Sequence, residues 1–164
     1  MSALDRDAIY DALLAFFQAI TAADGSQVFR SAFEDPRTWE TCPPEDQPAI
    51  CLSTPIERSE QTRRGIPRIW TLRPDLLIYV NTQASLQADS AEPSQAPSAM
   101  RLLNPILDAV EAALAVDDFG AGAVTLGGLV SSVSLDGDLL RFPGTLGNEA
   151  TALVPLSIIV SPGI

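Results

Sequence analysis

The stretch Ile69-Trp70-Thr71-Leu72-Arg73-Pro74-Asp75-Leu76-Leu77-Ile78-Tyr79-Val80-Asn81 decides the fold. Leu76, Ile78 and Val80 fall on one face of an extended chain, and Leu77 and Tyr79 fall on the other, so the segment reads as a long strand. Both faces are apolar at that end, which implies cover on two sides. Upstream, residues 48–57 alternate in the same way, with Ile50, Leu52, Thr54 and Ile56 on one face. Pro55 cannot donate to a ladder, so this second strand is predicted to lie at an edge or to carry a bulge. Residues 58–68 between them are polar, with Gly65 at the turn, and the two strands are predicted to close an antiparallel hairpin arm.

Helical spacing flanks this hairpin. From about Ser2 to Ala22, Ile9, Leu13, Phe16, Phe17 and Ile20 form one apolar stripe, stopped by Asp24-Gly25. A second helix is predicted over about 99–115, with Ile106, Leu107, Val110 and Leu114 on its apolar face and Asn104-Pro105 marking a fresh N-cap inside it. Gln27–Phe33 reads as a short strand and 34–47 as a proline-rich loop. Residues 83–98, small and polar with two prolines, read as a flexible loop within one domain spanning 1–164.

The last third reads as strand. Thr125-Leu126-Gly127-Gly128 is a tight turn or bulge leading into Leu129–Leu135, where Leu129, Val133 and Leu135 share a face. Asp136-Gly137 is a two-residue hairpin signal, so 138–142 is predicted to return antiparallel to it. After a turn at 143–148, Ala150–Val160 forms the longest strand, with Val154, Leu156, Ile158 and Val160 alternating against Leu153, Ser157 and Ile159. The predicted class is α+β: a mostly antiparallel β-sheet packed against two α-helices on one face.

Composition narrows the function. The 164 residues carry 21 acidic and 10 basic side chains, a formal net charge of −11. That balance repels phosphate backbones, so non-specific nucleic-acid binding is not expected, and no specific nucleic-acid binding is expected either. No apolar run reaches the ~20 residues that span a bilayer, and no membrane partner is expected. All ten basic residues are arginine, and histidine is absent. The usual general base and metal ligand are therefore missing, and without lysine so are Ser–Lys pairs and Schiff bases. Cys42 and Cys51 fall short of a four-ligand zinc site by themselves and read as reduced thiols. The carboxylate pairs Asp117/Asp118 and Asp136/Asp138 sit where turn chemistry already favours aspartate. No enzyme activity, catalytic residue, cofactor or metal is expected.

One cluster stands out in this acidic chain. Arg58, Arg63, Arg64 and Arg68 place four of the ten positive charges within eleven residues. As a solvated hairpin tip they would contribute little. As an arm they would reach an acidic surface on a neighbouring subunit, with Glu57 and Glu60 fixing the register.

The order of parts resembles a known family. An N-terminal amphipathic helix precedes an edge strand opening at Pro48-Ala49-Ile50, and a polar hairpin leads to Trp70-Thr71-Leu72 and Leu76–Val80. The helix at 104–114, the turn Thr125-Leu126-Gly127-Gly128 and the last strand at 152–160 follow. This is similar to the tail terminator (tail completion) proteins of long-tailed bacteriophages, prophages and phage-like gene transfer agents. The resemblance implies a structural virion protein of the tail or neck, assembled in the bacterial cytoplasm. It implies a homo-hexameric ring that stops polymerisation of the tail tube protein and presents a surface to the head–tail connector or stopper, with DNA passing through. Six copies at −11 each carry −66, so salt or divalent cations are expected to promote the ring. Under the same reading, Asp89, Glu92, Asp117 and Asp118 are candidates to face the lumen and keep transiting DNA from sticking. The competing readings are a head-completion or head–tail joining protein of the neck, and a small-molecule binding module.

Overall fold

Asp5 starts the first helix by accepting a hydrogen bond from the Ala8 amide at 3.1 Å, and α1 follows over Arg6–Gln18. The computed structural model describes residues 4–22, 24–36, 41–53, 56–61, 64, 68–83, 98–115, 123–144 and 148–161. The helix is shorter than its apolar stripe. Ile20 still enters the core, but the chain has already turned: Val28 donates to the Ile20 carbonyl, Ala22 donates to Ser26, and Gly25 adopts a φ of +83° between them. Within the segment predicted as a strand at Gln27–Phe33, only β1 at Ser31–Phe33 is regular.

β1 lies parallel to β2 (Ala49–Leu52), which runs antiparallel to β5 (Asp75–Asn81). β3 (Ile56–Glu60) runs antiparallel to β4 (Ile69–Arg73). These pairs form one long hairpin with a step in it. Leu52 faces Leu76, whereas Ile56 faces Arg73, so four steps along one strand match three along the other. Between these described partners the register therefore shifts by one residue. The bulge or edge position expected at Pro55 falls on Thr54 and Pro55, which lie outside the described residues.

The last strand, β8 (Glu149–Val160), is the axis of the sheet. β4 and β5 run along one edge of it in a single unbroken register, Trp70 opposite Val160 through Asn81 opposite Glu149. Pro74 is the only interruption: it accepts from the Leu156 amide at 3.0 Å but has no proton to return. Ile69–Asn81 is thus in substance the one long strand expected.

The other edge of β8 corrects a prediction. β6 (Ser132–Leu135) and β7 (Leu140–Pro143) do not pair with each other. Both run antiparallel to β8, end to end, β6 against 156–159 and β7 against 150–153. Asp136-Gly137 is a bulge rather than a hairpin turn. Pro155 explains it: its carbonyl accepts from the Asp136 amide at 3.0 Å, but it offers no N–H to the facing strand. The facing chain bows out there and rejoins β8 two residues out of register. The hairpin into β8 lies instead at 144–149, where Gly144 donates to the Glu149 carbonyl at 2.7 Å. Across the sheet the order is β1, β2 with β3, β5 with β4, β8, and β7 with β6.

The second helix, α2 (Ala99–Leu114), runs through Pro105 without a new N-cap, contrary to the reading of Asn104-Pro105. The carbonyl that Pro105 leaves without a helical partner belongs to Arg101, on the exposed side where water can satisfy it. Both helices pack on the same face of the sheet. Ile9, Leu13 and Phe17 of α1 and Leu103, Leu107 and Val110 of α2 join Ile50, Leu76, Ile78, Val80, Val154, Leu156 and Ile158 in one core. The tight turn expected before β6 forms, but the facing of Leu129 differs from the expectation. Leu126, Gly127 and Gly128 all take positive φ, and Leu129 emerges exposed rather than sharing the core face of Val133.

Candidate functional site

The sheet has a second face, which the helices leave uncovered. Its odd-numbered positions along β8 meet Leu77 and Tyr79 of β5 and Leu140 and Phe142 of β7. At one corner Cys42, Ala49, Cys51 and Tyr79 are buried in a small cluster against Phe33 and Leu77. Neither cysteine is in a disulfide, and the Cys51 thiol lies 3.7 Å from the Tyr79 hydroxyl. Away from that corner the face is open: Phe142 is 50% exposed, Leu140 46% and Ile159 38%. The same face continues onto the hairpin arm through Thr71, beside Ile159, and ends at Ile69 and Ile56. Five of the seven large hydrophobic side chains exposed among the described residues therefore lie on one surface. Arg73 crosses it to reach Asp136 at 3.3 Å, so Asp136 is engaged in an ion pair rather than poised beside Asp138.

The arm carries the predicted arginines, and every residue of β3 is exposed. Arg58 lies on the uncovered face and pairs with Glu60 at 2.8 Å. Arg64 and Arg68 are exposed at the tip and have no hydrogen bond or ion-pair partner among the described residues. Arg63 lies outside the described residues, as do Asp89, Glu92, Asp117 and Asp118 and nearly all of the predicted 83–98 loop.

Glu57 makes its described contact within its own chain. It stands opposite Leu72 on the helix side of the sheet, and both of its oxygens accept from Arg6 of α1 at 2.6 Å. The Arg6 guanidinium also lies over the Trp70 ring, 5.2 Å from its centroid. This fork-to-carboxylate pairing ties the base of the arm to the first helix. The Arg6 guanidinium holds the Glu57 carboxyl below its usual range, and the same hydrogen bond raises the Arg6 pKa. Beneath them, burial and then the Glu57 charge push the Tyr10 phenol up to about 12. Its hydroxyl oxygen is buried with no hydrogen-bond partner among the described residues. Within their own chain Glu57 engages Arg6 and Glu60 engages Arg58.

Beside the base of the arm a groove of about 420 Å³ opens between α1 and the end of the β1–β2 edge. Its floor is Tyr10, Leu14 and Leu52, and its walls carry Asp7, Asp11, Glu34 and Asp35. Sequence reasoning missed it because two carboxylates come from one helix and two from the chain leaving β1. The signal was present only as i, i+4 aspartates on the polar side of α1. Among the described residues no three His, Cys, Asp or Glu side chains converge as a metal site. No described helix is long and apolar enough to cross a membrane. The chain matches no protein-family model, and no curated protein matches it.

Proposed function

We propose that this protein is a structural assembly protein, working through surface contacts rather than catalysis. More particularly, we read it as a tail terminator: a ring that caps the phage tail tube, stops its polymerisation and offers the attachment surface for the head connector. The observation that carries the assembly reading is the uncovered sheet face. Ile56, Ile69, Leu140, Phe142 and Ile159 share it, and apolar side chains grouped in this way mark a contact surface rather than ordinary solvent exposure. The particular reading is supported by the order of elements, in which an amphipathic helix, a protruding hairpin, a second helix and a long closing strand recur in the family's pattern.

Electron microscopy of particles assembled without this protein tests the reading. Overlong or ragged tails are the expected result. Finished tails beside empty or leaking heads would instead make it a head-completion or joining protein of the neck. Normal particles, with a metabolite raising the protein's melting temperature, would point to a small-molecule binding module.

A further inference from the structure

Arg64 and Arg68 on the arm and the carboxylates of the groove carry opposite charges, and neither set has an ion-pair partner among the described residues. Asp7, Asp11, Glu34 and Asp35 are all exposed, and none makes a hydrogen bond or ion pair among the described residues. Arg64 and Arg68 at the arm tip are exposed and equally unpartnered. The chain cannot bring the two together itself. Ser53 lines the groove, and Glu60 lies seven residues farther along the hairpin, roughly 20 Å at about 3.3 Å per residue. The intervening strand is held in register by β4, which is itself held by β8. The described end of the arm, Glu60 opposite Ile69, therefore lies away from its own groove.

We infer that the arginine-bearing tip of the β3–β4 arm in one copy docks into the α1/β1–β2 groove of a second copy. This deepens the ring reading and rests on it. The groove offers an apolar floor as well as acidic walls. Exposed Ile69 near the tip therefore has a surface to meet while Arg64 and Arg68 reach the carboxylates. Ion pairs closed over such a floor are shielded from water, unlike open surface pairs of small effect. Because arm and groove are different surfaces, the contact is head-to-tail. Repeated contacts of that kind close into a ring when the rotation between copies allows it.

The test uses the full chain with Gln61→Cys at the arm tip and Asp35→Cys in the groove, joined by a short bis-maleimide. Cys42 and Cys51 are buried and stay unreactive while the protein is folded. A ladder of covalent oligomers ending at a closed ring is expected. No ladder above that of the two single-cysteine chains would overturn the inference. Charge reversal on the same background sharpens the result. Arg64→Glu with Arg68→Glu, or Asp11→Arg with Glu34→Arg, should each lower the cross-link yield at least tenfold without moving the melting temperature. Mixing the two reversed chains should restore it as an alternating one-to-one assembly. Wild-type yields from both reversed chains would refute the arm–groove contact and leave the ring reading standing. A ladder that extends without closing would sink the ring and keep the contact.

Discussion

Tyr10 shows how a single side chain reports on the packing under the arm. Its phenol is pushed up to about 12 by burial, with the Glu57 charge adding to the effect. A pKa higher in the folded than in the unfolded chain means stability that is complete below about pH 10 and lost as the pH rises toward 12. Because the hydroxyl has no partner among the described residues, Tyr10→Phe should leave stability at pH 7 within about 1 kcal/mol of the wild type and reduce the alkaline loss. Denaturant titrations at pH 7 and pH 11 measure both, and equal alkaline losses in the two proteins would refute the assignment. Glu57 works in the opposite direction. Arg6 lowers its pKa, so the contribution of the pair is present above the ordinary carboxylate pKa of 4.5 and disappears as the pH falls below it. Since Arg6 stacks on Trp70, Trp70 emission in a Trp39→Phe background should show an acid transition with its midpoint below 4.5. Glu57→Gln should abolish that transition, and its persistence would count against the pairing.

At the scale of elements, two prolines govern how the sheet is divided. Pro74 and Pro155 each leave one donor missing near the middle of β8, on opposite edges, and there the neighbouring strands break into β4/β5 and β6/β7. Gly137 serves the second break with a φ of +130°, and a Cβ there would lie 3.2 Å from the Pro155 ring. Gly137→Ala should therefore cost about 1–3 kcal/mol, read as a lowered melting temperature. An unchanged melting temperature would mean that the bulge is not as described. The strands themselves were legible from period-two alternation, and α1 and α2 from their apolar stripes, because both patterns are local. The arrangement of β6 and β7 was not. Asp136-Gly137 has the chemistry of a hairpin turn, and only the distant Pro155 decides that it becomes a bulge. The groove was invisible for a similar reason: Asp7 and Asp11 meet Glu34 and Asp35 only after α1 has packed on the sheet.

For the whole molecule, the proposed assembly must overcome a net charge of −11 on each copy. Repulsion between like-charged copies acts over distance and is screened beyond ~8 Å at physiological ionic strength, whereas ion pairs enclosed in a groove are screened much less. Raising the salt from low to physiological levels should therefore increase assembly, as sedimentation velocity can measure. Better assembly at low salt would contradict this account. On the uncovered face, Leu140→Glu with Phe142→Glu should weaken assembly at least tenfold. The melting temperature should scarcely change, because substitutions at exposed positions ordinarily alter stability by only about 0.5 kcal/mol.

The most direct test of the central claim is to add the purified protein to tail tube subunits polymerising in solution and to follow tube length by electron microscopy. The account predicts that elongation stops, with ring-shaped density of this protein at one end of each tube. Tubes that grow at the same rate and to the same lengths, with nothing bound at their ends, would contradict it.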